Sequence, residues 1–257
     1  MRSTGRSTLR LLHYWWPLAL GWSLTVVVQR AIGRAPDPHG TLVLLSGIVA
    51  AYSADRVLDP PTASSPRWVG ALLGTTGVLA AAVCGWTALM LPPATAALMP
   101  LLGAAALGYS TLKQWTATKT VLLPLIWTWA SIALPFGDGS WLGWHALLEP
   151  VAAPIFCLVA AGCLLCDLKD EQGDRRAGIR SVPALIGGAG TTRVAIALAL
   201  AAATLAFVEH RTGIMVSAGV LGLAAMAPRV LATESTGPLL VDVILTLPGV
   251  LITARFV

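Results

Sequence analysis

Apolar residues come in runs of about 20 along the whole of this sequence, separated by short polar or turn-forming breaks. A helix of that length crosses the roughly 30 Å hydrocarbon core of a bilayer, so each run predicts a membrane-spanning helix. Nine are read, over residues 11–32, 41–58, 68–90, 94–112, 120–137, 147–168, 192–209, 213–232 and 239–256. The breaks carry turn chemistry, as in Pro36-Asp37-Pro38, Pro60-Pro61, Pro92-Pro93, Gly137-Asp138-Gly139 and Gly237-Pro238. None is long enough to fold alone. The pattern therefore predicts an all-α fold, a polytopic transmembrane bundle of nine helices forming one domain over residues 1–257.

The first run follows Arg2, Arg6 and Arg10, as a secretory signal would. It exceeds the ~7–15 residue core of such signals and carries Trp15, Trp16 and Trp22, so it is read as a helix. Nine crossings place the two termini on opposite sides.

Composition agrees: 56% of the 257 residues are hydrophobic and 11% charged, against roughly 25% charged in a soluble domain. Charge then sets orientation, because cytoplasmic loops retain Lys and Arg. With the amino terminus inside, that side holds Arg2, Arg6, Arg10, Arg56, Arg67, Lys113, Lys119, Lys169, Arg175, Arg176, Arg180, Arg193 and Arg229, while Arg30, Arg34, Arg211 and Arg255 lie opposite. The expected location is the cell inner membrane, with the amino terminus cytoplasmic. A pI near 9.4 reports this topology and contact with anionic lipid heads, and is no argument for nucleic acid.

Cys84, Cys157, Cys163 and Cys166 fall in expected spans. Cys163 and Cys166 form a CxxC, but a zinc site needs about four ligands and no His lies near in sequence, so packing is the expected role. His13, His39, His145 and His210 form no cluster. The Gly-rich Ile186–Gly190 stretch lacks the strand and helix context of a nucleotide loop and is expected to be a turn. Gly70, Gly74 and Gly77 are expected at a close helix contact.

Against this apolar background two acidic rows stand out on the cytoplasmic side. Asp55 and Asp59 end the second span; Asp167, Asp170, Glu171 and Asp174 end the sixth. Helical residues three, four or seven apart share a face, so Asp55 with Asp59, and Asp167 with Asp170 and Asp174, each present carboxylates toward one point. Hard divalent cations take oxygen ligands, and Mg²⁺ binds through one or two carboxylates while keeping positions for water and phosphate. Two facing rows fit Mg²⁺ ions and a diphosphate, with Lys113, Lys119, Arg175, Arg176 and Arg180 covering the remaining phosphate oxygens. The alternative is that these are solvated loop charges balancing one another.

These residues resemble the UbiA superfamily of intramembrane prenyltransferases. The most specific part is DLKDEQGDRRAGIRSVPALIG, residues 167–187, similar to the family's second acidic motif and its continuation. YSTLK, with Tyr109 and Lys113, is similar to the family's tyrosine and lysine pair. The resemblance implies a helical bundle whose central cavity opens to the cytoplasmic side and laterally to lipid, with Mg²⁺ joining both acidic motifs to an isoprenyl diphosphate. Asp55, Asp59, Asp167, Asp170 and Asp174 would be metal-binding, Lys113 would hold the diphosphate and help it leave, and Tyr109 would support that site. The first motif departs from the family pattern: Ala51 and Tyr52 occupy the places of its Asn and of a further Asp.

The ten Trp among seventeen aromatic residues are the second oddity. Trp15, Trp16, Trp68, Trp141 and Trp144 lie near expected interfaces; Trp22, Trp127 and Trp129 lie deeper, where they either pack or line a cavity able to stabilise a carbocation. Asp242, a turn into the last span, either faces the same cavity or snorkels to the interface. The expected function is Mg²⁺-dependent transfer of an isoprenyl group to an aromatic or lipid-like acceptor. A membrane terpene synthase, which cyclises the chain without an acceptor, is the alternative, and a silent lipid-diphosphate or cation-binding protein is a third.

Overall fold

The structure is a computed structural model that describes residues 2–58, 67–112, 115, 116, 118–137, 144–233 and 236–255, with side chains left aside at residues 2–15, 67, 109–112 and 144. The described elements are all helical: α1 (Arg2–Ile32), α2 (Pro38–Leu58), α3 (Arg67–Ala88), α4 (Pro93–Ala96), α5 (Met99–Leu112), a π-helical turn (Thr118–Leu122) leading into α6 (Leu123–Phe136), a 3₁₀ turn (Trp144–Leu148), α7 (Ala152–Cys166), a second 3₁₀ turn (Asp167–Asp170), α8 (Glu171–Ala177), α9 (Val182–Val208), α10 (Thr212–Ala225), α11 (Pro228–Leu231) and α12 (Thr236–Thr253). Six helical stretches are long and apolar enough to cross a membrane: Pro38–Leu58, Trp68–Ala88, Thr118–Phe136, Ala152–Ala177, Val182–Val208 and Thr236–Thr253. Pro93–Gly108 and Thr212–Ala225 are apolar but shorter.

Helix α7 sits at the centre. Ile155, Leu158, Leu164 and Leu165 on it are fully buried, and it packs on α6, α9, α10 and α12. A helix that is apolar all round belongs in such a place or in lipid. The other case is α3, whose Val78, Leu79 and Trp86 are exposed. Of the three glycines expected at a close contact, Gly77 lies against the Cβ of Ser53, while among the described residues nothing stands within 4 Å of a Cβ built at Gly70 or Gly74. Those two turn away from α2 and do not form the expected packing stripe.

Polar groups inside the bundle answer specific backbone needs. Pro248 in α12 has no N–H, so the carbonyl of Ile244, four residues back, loses its helical partner. Ser217 of α10 donates its hydroxyl to that carbonyl at 2.6 Å. One residue on, the N–H of Gly249 donates to Ser23 of α1 at 3.0 Å, and the Ser23 hydroxyl donates to Thr246 O, also at 3.0 Å. Neighbouring helices thus re-satisfy the groups a membrane proline frees.

One contact orients the site. At the start of α2 the Asp37 N–H donates to Pro135 O at 2.6 Å, near the end of α6, and Gly40 sits on the Leu134 carbonyl where a Cβ has no room. Helices α2 and α6 therefore run antiparallel, which puts the end of α2, with Asp55, at the same end of the bundle as the start of the π turn, with Lys119.

The turn expected at residues 186–190 is a sharp break at Gly187 inside α9, and helix resumes on both sides of it. Ser181 starts α9 ten residues earlier than the apolar run, its hydroxyl accepting from Ala184 N at 3.4 Å with Pro183 in the first turn. Gly187, non-helical at φ +75° and ψ 162°, divides α9 into a short first piece and a long second one that meet at a kink.

Candidate functional site

Where α7 ends at Cys166, the chain tightens into the 3₁₀ turn Asp167–Asp170 and continues as the seven-residue α8. A 3₁₀ turn has three residues per turn, so Asp167 and Asp170 stack on one side, and Asp174 follows a helical turn later. Gly178, left-handed at φ +71°, stops α8, and Ile179 N donates back to Asp174 O at 2.9 Å. The acidic row is held at both its ends by backbone geometry.

Lys119 reaches this row from the π turn, its ammonium 3.4 Å from Asp167 Oδ1, both side chains largely shielded from solvent. Asp170 occupies the position just before α8 but spends no carboxylate oxygen on capping it. Asp174 is 8% exposed, and its Oδ2 is buried without a hydrogen-bond partner among the described residues. Asp167 feels the charges of Lys119, Asp170 and Asp174 together, so the three carboxylates and one ammonium form a single electrostatic cluster.

The basic residues divide. Arg175 pairs with Glu171 at 3.0 Å and its Nε donates to Ala184 O at 3.2 Å, which clamps α8 to the start of α9. Arg176 and Arg180 are exposed, and the Arg180 carbonyl accepts the Thr116 hydroxyl, tying the stretch before the π turn to the stretch after α8. The sequence reading passed over Glu171, Thr116 and Gly188 in these roles. Gly188 leaves room for Glu171: a Cβ there would stand 2.9 Å from Oε2. The signal available was the Gly-rich stretch just after an acidic helix.

Asp55 lies half-buried in the last turn of α2. Asp59 and Lys113 lie outside the described residues, as does the side chain of Tyr109, whose backbone belongs to α5. Tyr52, one turn before Asp55, packs edge-on against Trp127 of α6, ring centroids 6.5 Å apart at 64°. Trp127 and Trp129 are buried, whereas Trp22 is 39% exposed and turns away from the interior. Asp242 is half-buried and lies in electrostatic range of Lys169, Cys163 and Cys166, beside the acidic row. All four cysteines are free thiols.

Among the described residues no three His, Cys, Asp or Glu side chains come close enough together to hold an ion by themselves. The donor set still suits Mg²⁺, which takes one or two carboxylates and fills its remaining positions with water and phosphate. An unpartnered, buried carboxylate oxygen on Asp174 is the kind of group a cation would satisfy.

The chain belongs to the UbiA prenyltransferase family: the family's sequence pattern matches residues 53–236, well over half of its length. It is an integral, multi-pass membrane protein. Its fold is similar to the apo structure of a UbiA homolog from Aeropyrum pernix K1, at a TM-score of 0.68 and 20% identity, over 95% of this chain and 98% of that one. A search of the curated proteins finds no match.

Proposed function

We propose that this protein is a Mg²⁺-dependent membrane enzyme that ionises an isoprenyl diphosphate and transfers the prenyl group to an aromatic or lipid-like acceptor. The observation that carries this reading is the cluster of Asp167, Asp170, Asp174 and Lys119 where α7 leaves the bundle, in a chain of the UbiA family.

Ionising an allylic carbon–oxygen bond leaves negative charge on the diphosphate and positive charge spread over the allyl carbons. Asp55, Asp59, Asp167, Asp170 and Asp174 would hold Mg²⁺, directly or through water, and the bound ion would supply Lewis-acid neutralisation of the first. Lys119, held beside Asp167, adds positive charge next to the departing diphosphate, a preorganised arrangement of the kind that lowers such barriers most, and Lys113 is the further cation that would hold the leaving group. Arg180 and Arg176 are exposed cations just after the acidic row, placed to meet an incoming anion. Arg175 acts one step back, holding α8 against α9 so that Asp170 and Asp174 keep their facing. A prenyl tail lying between the apolar helices would be kept from water that would quench the cation.

One observation favours a second reading, the cyclising terpene synthase. Tyr52 stands where the family's motif often has an acid, and it packs on Trp127. That exchanges a metal ligand for an aromatic face able to stabilise a carbocation. The two readings separate by incubating purified protein with Mg²⁺ and prenyl diphosphates of ten, fifteen and twenty carbons, first alone and then with aromatic and lipid acceptors, against an EDTA control. Transfer gives a product only with acceptor; a cyclic terpene from the diphosphate alone moves the assignment to the synthase. If diphosphate stays intact under every condition, both readings fail.

A further inference from the structure

The four basic residues that the orientation count leaves on the side away from the acidic clusters are not scattered. Arg30 and Arg34 line a cavity of about 340 Å³ together with Val26, Gln29, Gly33 and Ile252. Arg211, at the start of α10, donates from Nη2 to Ala31 O at 3.1 Å, within the same turn of α1. Arg255 comes one turn after Ile252, its N–H returning to the Ile252 carbonyl at 3.0 Å. Three segments far apart in sequence, the ends of α1 and α12 and the α9–α10 connection, thus bring every one of these arginines to one corner of the bundle.

The corner is poorly neutralised from within. Glu209 is its nearby acid, 4.0 Å from Arg211 Nε, too far for a hydrogen bond, and both of those atoms are buried without a hydrogen-bond partner among the described residues. Asp37, the next acid along the chain, is turned to Gly40 N at 2.6 Å, where it caps α2. Arg30 and Arg34 are exposed. The floor is open backbone: Gly33 turns the chain at φ +73°, and among the described residues nothing lies within 4 Å of where its Cβ would stand. One wall is apolar, Val26 and Ile252, both half-buried near the ends of α1 and α12.

We infer that this corner binds the headgroup phosphate of an anionic phospholipid, with the acyl chains running down the α1 and α12 flank. A guanidinium pair offers forked donors matched to phosphate oxygens, and the apolar wall at a helix end suits a molecule that is charged at one end only. The site lies at the end of the bundle away from the proposed diphosphate site and does not depend on that reading.

The test is native mass spectrometry of the full-length protein released from nanodiscs made of equal parts phosphatidylglycerol and phosphatidylcholine, comparing wild type, the double variant Arg30→Gln/Arg34→Gln, and Arg229→Gln, an exposed arginine elsewhere. One basic residue near a lipid surface is worth about a five-fold change in binding, so the double variant is expected to retain roughly thirty-fold less phosphatidylglycerol. Arg229→Gln should retain as much as wild type. Equal retention by all three proteins, or no preference for phosphatidylglycerol over phosphatidylcholine in wild type, overturns the inference. So does displacement of the lipid by millimolar inorganic phosphate, which would make this a free-phosphate site. If the double variant does not fold, Arg30→Lys/Arg34→Lys keeps both charges and is expected to hold phosphatidylglycerol within a few-fold of wild type; a loss there as large as predicted for the glutamine pair counts against a charge-reading pocket.

Discussion

The two acid-bearing helix ends at one side of this bundle are built differently. At the end of α7 the chain concentrates carboxylates: Asp167 is held by Lys119, Asp170 does not cap α8, Asp174 is buried, and a clamp from Glu171 through Arg175 to Ala184 keeps the segment in place. At the end of α2 the corresponding turn has Ala51 and Tyr52, and the tyrosine is packed on Trp127. One end is organised to face cations; the other has traded part of that capacity for aromatic surface. Burying carboxylates is costly unless something positive faces them. The investment at the α7 end therefore marks it as the stronger half of the proposed metal site, and makes the α2 end the place where this chain's chemistry is set apart.

The largest effect expected is at the strong end. Asp174→Ala and Asp170→Ala should each lower Mg²⁺-dependent diphosphate release by about 100-fold or more, the scale seen when one preorganised electrostatic partner is removed; turnover near wild type in either would break the assignment. Asp55→Ala tests whether the weak end is needed at all: a loss as large as that of Asp170→Ala keeps both rows in one site, whereas a loss of a few-fold would confine the metal to the α7 end.

A smaller effect is expected from Lys119→Ala, about ten-fold in kcat, from loss of a charge-assisted contact worth roughly 1.5–3 kcal/mol between partly screened groups. Lys119→Arg should recover most of it, and no recovery would make the lysine a packing element only. Tyr52→Asp restores an acid to the weak end; it should lower the Mg²⁺ concentration needed for half-maximal turnover several-fold, while Tyr52→Phe leaves it unchanged. If Tyr52→Asp instead abolishes a cyclic product while diphosphate release continues, the aromatic pair belongs to the carbocation chemistry. Least is expected from Arg175→Gln: its ion pair is half-exposed, so stability should fall by less than about 1 kcal/mol, read as a shift of one or two degrees in Tm.

Much of this was legible in the sequence because it is written at helical range. The all-helical membrane architecture follows from runs whose length matches a bilayer, and the stacking of Asp167, Asp170 and Asp174 follows from spacings of three and four. The break in the first motif could be read at Ala51 and Tyr52 directly. Where the signal was local but incomplete, the glycines at 186–190 mark the break at Gly187, yet they do not show that helix already begins at Val182 before it and passes close over Glu171 after it.

What the chain alone determined, then, is what depends on near neighbours: span length, charge bias, and which acids share a face. Only the tertiary structure decided which distant groups meet. Lys119 and Asp167 are separated by 48 residues, and nothing in either segment names the other. The same holds for Tyr52 with Trp127, for Ser217 answering the carbonyl that Pro248 leaves free, and for four arginines from three segments at one corner. Helical periodicity is a property of adjacent peptide units. These meetings depend on how whole helices pack, where each buried polar atom must find a partner from whichever neighbour the packing brings within reach.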